Sequence, residues 1–419
     1  MTESRVGHTN RPERTIAAPA SAPRVLVFTT LFPNKTQPLH GVFVRHRVAA
    51  LARHCPTRVV APILVRGRRS DRAPAHDRDG PLEVSHPPYT TVPLFGRCAD
   101  GFMLYVQVLA HMRRIHAEFP FDVIDAHYAF PDGAAGTLLA AHFGVPVAVT
   151  VRGSDLDLLP RFRLRRRAIA RTLRRADRIF AVSQYLATRA VALGAPPGSV
   201  LVVPNGVDPA YFSYADSATA RQMLGIPEAQ PLIVCVGNLV AHEGQHVLVE
   251  ALARMKTCGG EPHLVLIGCD PSPVRVYRRR LERLIARHGL DRRIRLLGSV
   301  DQAILARWYR AADALVLPSF HEGSPNVVRE ALACGTPVVG SRVGGVPELI
   351  TSDDMGVLVE PGDVEGFARS VYEVLHRRWD RRAIAARAGG RDWQSVGSAI
   401  GSELARLAEI GRPGLQQLG

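Results

Sequence analysis

From Arg24 onward the chain alternates short apolar runs with longer amphipathic stretches. "RVLVFTT" (24–30), "TRVVAPI" (57–63), "FDVIDAH" (121–127), "VPVAVTV" (145–151), "RIFAVS" (178–183) and "VLVVP" (200–204) are near-continuous in Val, Ile and Leu. Such runs are expected of strands buried on both faces. Helical patterns separate most of them, as at 41–53, 132–142 and 184–193. This alternation predicts a parallel sheet with helices on both sides. At "VPNGVDPAYF" (203–212) the pattern pauses, and Asn205-Gly206 with its flanking prolines reads as a linker. A second series follows: "LIVCVGNL", "HLVLIG", "IRLLG", "ALVLPS", "TPVVGS". The expectation is an α/β chain of two Rossmann-like, doubly wound domains, 23–205 and 206–395, facing a central cleft. Residues 396–419 would form a C-terminal helix and tail packing back toward the first domain. Ligands of such sheets bind beyond the carboxyl ends of the strands, so the cleft is the place to look.

Composition narrows the class. A chain of 419 residues is too long for one ordinary core, and 46% hydrophobic with 22% charged residues is a globular balance. No apolar run approaches the ~18 residues of a membrane-spanning helix. Residues 1–22 are polar and lack an apolar h-region, so they read as a disordered extension rather than a signal peptide. The stretch 66–80 has no periodicity and reads as a mobile loop. Six cysteines (Cys55, Cys98, Cys235, Cys258, Cys269, Cys334) form no C-x-x-C pair, and several lie in apolar runs. Buried free thiols in a reducing, cytoplasmic compartment are expected.

The net charge is +15, and Lys35 and Lys256 are the only lysines among 53 basic residues. That surplus favours acidic partners. Its densest part, "RFRLRRRAIARTLRRADR" (161–178), has nine arginines in eighteen residues, with Phe162, Ile169, Leu173 and Ala176 on one helical stripe. Two readings stand: a solvated helix packed by that stripe, or a peripheral contact with anionic lipid. No nucleic-acid-binding motif accompanies it.

The candidate chemistry sits in "HEGSPNVVRE" (321–330), just beyond the apolar run 314–317. Ser324-Pro325 reads as a helix start, with Ser as N-cap and Pro at the first helical position. The free N–H groups of Asn326 and Val327 would then point into the cleft as an anion site. Glu330, one turn deeper on the same face, can accept bonds from vicinal hydroxyls, and Glu322 can reach the far side of the same anion. A lone pair of glutamates so spaced is more simply a capped helix with two solvated carboxylates. This pair does not stand alone.

"LPSFHEGSPNVVREALACGTPVVGSRVGGVPELI", continued by "GVLVEPGD", resembles the donor-binding core of the GT-B glycosyltransferases of retaining family 4 (group 1). So does "VSQYLATRAVALGAPPGSVLVVPNGVDPAYF". "FTTLFPNKTQPLHGVFVRHRVAAL" and "DAHYAFPDGAAGTLLAAHFGVPVAVTVRGSD" look like the subgroup that builds cell-wall, capsular or exopolysaccharides. The resemblance covers roughly residues 24–395. It implies a GT-B fold and hexose transfer from a UDP- or GDP-sugar to a saccharide or lipid-linked hydroxyl, with retention and without metal. It also implies a cytoplasmic enzyme, peripheral on the inner membrane face if 161–178 binds lipid.

Carried over residue by residue, the resemblance implies that Glu330 binds the donor ribose and Glu322 the transferred sugar near its anomeric centre. Backbone amides at Asn326 and Val327, beside Ser324, would hold phosphate and sugar. Gly41 would let its backbone approach the donor phosphate. His127 would face acceptor and reacting sugar. Arg152 would neutralise a phosphate or pair with Asp155. Asp155-Leu156-Asp157 imitates a D-x-D metal motif of another fold and is read as coincidence. One turn departs from the pattern. After Gly237, "VGNLVAHEGQHVLVEAL" places Asn238 and Glu243 where the family usually carries Arg and Lys. An anion in place of a cation beside a diphosphate should cost ~3 kcal/mol or more of leaving-group stabilisation, unless His242 or Arg342 substitutes. The competing reading is therefore a catalytically degenerate GT-B protein serving as partner or scaffold in a polysaccharide-synthesis complex.

Overall fold

A computed structural model describes residues 22–38, 40–65, 75–91, 98–256, 262–270, 274–389 and 391–411. All but the last residue of the expected extension at 1–22, most of the loop at 66–80, Cys258 and the tail beyond 411 lie outside these. In the first half the strands are β1 (Val25–Phe28), β2 (Thr57–Val60), β3 (Ile63–Leu64), β4 (His76–Asp79), β5 (Leu82–Ser85), β6 (Pro88–Tyr89), β7 (Val123–His127), β8 (Val147–Val151), β9 (Arg178–Ala181) and β10 (Val200–Val202). In the second half they are β11 (Leu232–Val236), β12 (His263–Ile267), β13 (Ile294–Gly298), β14 (Ala314–Leu317), β15 (Val338–Ser341) and β16 (Gly356–Val359).

Two open sheets result, ordered β10-β9-β8-β7-β1-β2-β5-β4 and β13-β12-β11-β14-β15-β16, with β3 and β6 paired separately. Every pairing is parallel except β4 with β5. That hairpin occupies the end of the stretch read as a loop. His76–Asp79 pairs with Leu82–Ser85 across Gly80-Pro81, and Gly80 takes φ +58°. A polar edge strand, exposed and half-buried by turns, carries no apolar period to betray it.

The apolar runs are buried because alternate side chains feed two cores. Leu26 and Phe28 enter one cluster with Ile124, Val149 and Leu173, while Val25 and Val27 enter another with Val44, Val48, Ile400 and Leu404. The second sheet repeats the arrangement, with Leu232 and Val234 on one face and Ile233 and Cys235 on the other. Cys55, Cys235 and Cys334 are buried free thiols, as expected. Cys269 instead is exposed, on the turn after β12 where no sheet covers it. No helix among the described residues is long and apolar enough to cross a membrane.

Two chain segments cross side by side between the halves. Val207 forms a parallel bridge to Asp392, and a β-carbon on Gly206 would stand 2.5 Å from the Trp393 nitrogen. Asp392 then caps the helix Trp393–Ile410 through the Ser395 N–H (2.8 Å). This helix returns to the first half and lies on Val42–Leu51 so closely that a β-carbon on Gly397 would meet the Ala50 carbonyl at 2.5 Å. Gly397→Val should therefore force the helices apart. A loss of about 1–3 kcal/mol is expected, read as a lower urea midpoint for the first half.

Candidate active site

Both sheets change direction within a strand pair, at β1/β7 and at β11/β14, and chain leaving such switch points makes the crevice. Tyr128 follows β7, Arg152 and Gly153 follow β8, Gly237 follows β11, and His321, Glu322 and Gly323 follow β14. All of them, with Phe43, Asn205, His242, Glu243, Ser324, Asn326 and Val327, line one cavity of about 420 Å³ between the halves.

The halves meet through backbone. A β-carbon on Gly323 would stand 2.0 Å from the Arg152 carbonyl oxygen, and the Ser183 hydroxyl donates to the Gly323 carbonyl (2.9 Å). Beside this seam, the Glu348 carboxylate accepts the N–H groups of Gln184 (2.8 Å) and Tyr185 (2.6 Å), capping the helix Gln184–Ala192 from the opposite half. From the linker, Asn205 Nδ2 donates to Asn326 Oδ1 (2.9 Å).

The helix after the seam differs from expectation by one residue. It runs Asn326–Ala333 with Pro325, φ −68° and ψ 118°, in the capping position. Pro325 itself keeps an extended ψ, so the helix begins at Asn326 and Ser324 lies one residue before the capping position. Its hydroxyl accepts from Arg329 Nη2 (3.3 Å) instead of capping. Asn326 and Val327 line the cavity at the helix start. Glu330 does not line it. It accepts the Tyr309 hydroxyl (3.2 Å), and burial pushes its carboxyl up to about 7.

The first-half wall holds a buried charge network. His127 is 0% exposed and does not line the cavity, against the expectation that it faces the substrates. Arg152 Nη2 stands 2.9 Å from its Nδ1, and its Nε2 lies 3.2 Å from Asp125 Oδ2. A guanidinium only donates, so Nδ1 is the acceptor, Nε2 carries the proton and the ring is neutral. Burial, against the opposing pull of Asp125, pushes the imidazole down to about 4. Burial also favours the neutral form of Asp125, yet His127, Arg47 and Arg152 hold its carboxyl below the usual range. Arg152, 8% exposed, stands in front. Its guanidinium lies over the Phe43 ring at 4.8 Å, and its Nε has no partner. The Asp155 carboxylate takes the backbone N–H of Arg152 (3.1 Å), Gly153 (2.8 Å) and Ala129 (3.0 Å), not the guanidinium. Asp157 is held by Tyr185 and Arg189. The D-x-D is thus used structurally, and no group of three or more metal-binding side chains occurs among the described residues.

Gly41 caps the helix Val42–Leu51 at φ +70°, and a β-carbon there would meet the Leu31 carbonyl at 2.4 Å. It lies outside the cavity lining, which its neighbour Phe43 reaches. Across the cleft, Gly237 packs so closely on Glu243 that a β-carbon would stand 2.9 Å from Oε2. Asn238 is exposed, and its carbonyl accepts from Gln245 Nε2 (2.9 Å). Of the two substitutes suggested for the missing cations, His242 lines the cavity, whereas Arg342 pairs with Glu360 (3.1 Å) outside it. Sequence reasoning missed Ser319, Asn205 and Glu348. Asn205 was legible only as a turn residue, and nothing local marks the others.

Residues 44–211 match the family described as Glycosyltransferase Family 4, and residues 230–377 match Glycosyl transferases group 1. The D-inositol 3-phosphate glycosyltransferase of Geodermatophilus obscurus is 34% identical over 312 residues, 70% of this chain and 69% of that protein. The chain belongs to glycosyltransferase family 4. A Bacillus subtilis protein named as a teichuronic acid biosynthesis glycosyltransferase, TuaC, is 27% identical over 370 residues, covering 85% of this chain and 90% of its own length. Among solved structures, the sucrose-phosphate synthase of Thermosynechococcus elongatus superposes with a TM-score of 0.78 at 22% identity, covering 93% of this chain and 100% of that one. Anabaena HepE, solved with UDP and glucose, gives a TM-score of 0.67 at 21% identity, covering 92% and 100%. The fold is GT-B, and this family 4 chain is a group 1 glycosyltransferase.

The network behind Arg152 has a measurable signature. A histidine whose pKa falls from 6.5 to about 4 on folding is one that the unfolded chain protonates first. Its contribution is intact above about pH 6.5 and is lost as pH falls toward 4. Urea unfolding of the native protein should show a stability loss across that window, up to about 3 kcal/mol, that is absent in His127→Asn.

Proposed function

We propose that this glycosyltransferase moves a hexose from a UDP- or GDP-sugar, with retention and without a metal, to a hydroxyl of a saccharide or lipid-linked acceptor. The observation that carries the reading is the cavity at both topological switch points, with the Asn326–Ala333 helix start and Glu322 on one wall and Arg152 on the other. A helix N-terminus suits a diphosphate, and a carboxylate suits sugar hydroxyls. Solved neighbours of the same fold bind UDP or UDP-glucose, which supports a nucleotide-sugar donor here.

On the acceptor side, Arg152 lines the cavity, and its Nε has no hydrogen-bond partner among the described residues, which favours an acceptor bearing a phosphate. Relatives named for D-inositol 3-phosphate and for teichuronic acid fit such anionic acceptors. His127 then acts from behind Arg152 as a positioning residue. Polysaccharide or glycoconjugate synthesis at the cytoplasmic membrane face is the setting this suggests. The helix Arg163–Arg175 buries Ile169 and Leu173 but leaves Leu164 55% exposed, with Phe162, just before it, 61% exposed. Phe162 was expected on the buried stripe, yet it precedes the first helical residue and is free of its period. Two apolar side chains amid arginines suit insertion into an anionic lipid surface.

Glu243 in the cavity wall favours the rival reading of a degenerate partner protein. Thermal shifts with UDP, GDP and ADP separate the two. A working donor site should be stabilised by one nucleotide and not by the other two. No shift with any nucleotide would leave the partner reading standing.

A further inference from the structure

The donor wall contains three groups whose arrangement needs explaining: Glu243, Ser319 and Glu322. Ser319 stands two residues beyond the end of β14 and is wholly buried. Its Oγ donates to Glu243 Oε2 (3.3 Å), and its pull on the Glu322 carboxyl, in the same cavity wall as Glu243, opposes the burial that raises that group. A hydroxyl has one proton to give. With both carboxyls ionised, one would face an Oγ lone pair with nothing between them. With one additional proton the set closes, because the protonated carboxyl donates to Oγ and Oγ donates to the carboxylate. Among the described residues, no arginine or lysine other than Arg152 lines the cavity to do this instead. Arg152 is the cavity's arginine, and it is turned to His127 and Phe43.

We propose that Glu243 is a positioning residue for Glu322. The two carboxyls share one proton through the Ser319 hydroxyl, which fixes Glu322 and keeps this wall singly charged when the donor's diphosphate binds. The inference rests on the nucleotide-sugar reading above. Burial raises both carboxyls, and repulsion from Glu243 raises Glu322 further, in the direction sharing requires.

Loss of the shared proton puts a second negative charge beside the diphosphate, so donor affinity should fall as pH rises. The other titratable groups around the pair are few. Burial holds the Cys235 thiol and the Tyr277 hydroxyl protonated, Tyr277 near 12. His246, stacked on Phe320 and bonded to Tyr277, is held neutral by burial. His321 contacts Arg161 Nη2 (3.1 Å). His242, lowered by burial and by His321, lines the cavity and would give a slope of the same sign.

The test is calorimetric binding of UDP-glucose, GDP-mannose and ADP-glucose between about pH 6 and about pH 8.5, a range in which their diphosphates keep a constant charge. For the donor that binds, wild-type affinity should fall roughly tenfold or more across the range. Glu243→Gln and Glu322→Gln should each flatten the slope, because an amide donates to Ser319 without titrating. His242→Asn should keep it. Donor binding that is independent of pH overturns this inference alone. So does a slope that survives both glutamine variants and disappears in His242→Asn. Failure of every donor to bind at any pH overturns the donor-site reading, and this inference with it.

Discussion

Gly323 passes so close to the Arg152 carbonyl that no side chain fits between them, and the Ser183 hydroxyl ties the same backbone across the gap. This seam fixes where the walls of the cleft stand. Glu322 precedes Gly323 directly, and Arg152 supplies the carbonyl that Gly323 meets. Any residue larger than glycine at position 323 would push apart the groups that must face a common ligand. The linker reinforces the seam, because Asn205 grips Asn326 at the start of the donor-side helix. Glu348 does the same for the first half by capping Gln184–Ala192. Backbone proximity, side-chain capping and the linker therefore act on one junction, and the site's geometry is set by contacts between the halves rather than by either half alone.

The walls differ in how they carry charge. The first-half wall presents Arg152, and behind it an ionised Asp125 and the buried Arg47 surround a neutral histidine, a set held together by donors that keep their protons at physiological pH. The second-half wall is acidic, with carboxyls at Glu243 and Glu322, both raised by burial. One wall is a fixed cation and the other a set of exchangeable protons. An anionic substrate between them meets a constant attraction on one side and a pH-dependent environment on the other.

Much of this was legible in the sequence for definite reasons. Strands such as 25–28 and 232–236 announced themselves because both faces are buried and every position is apolar. Glu322, Asn326 and Val327 were found because a Ser-Pro helix start follows a strand end. What escaped depended on contacts between distant segments. The hairpin 76–85 has a polar edge, so its period is hidden. Ser324 was displaced from its capping role by proline geometry one residue on. His127 was assigned to the cleft because strand ends usually open there, but Arg152, 25 residues later, lies in front of it. Glu243 was read as a lost cation. That it meets another carboxyl across Ser319 could not be inferred, because 76 residues separate Glu243 from Ser319.

The arginine surplus also takes on a different meaning. Arg221 donates to the carbonyls of Pro227, Glu228 and Gln230 while pairing with Asp313. Arg381 donates to those of Gly335, Ala312 and Tyr309. These are structural uses of a planar fork that lysine cannot reproduce, and they remove cations from the count available to partners. Among the described residues that line the cleft, Arg152 is the one arginine, and its Nη2 is turned to His127. A chain with a net charge of +15 thus meets its anionic substrate with few fixed charges. A lysine beside a diphosphate attracts it at any physiological pH. A carboxyl pair that shares a proton lowers the repulsion only while the proton is retained. Replacing the first by the second gives up constant attraction for an environment that responds to acidity, and Ser319, with a single proton to give, is the atom on which that response turns.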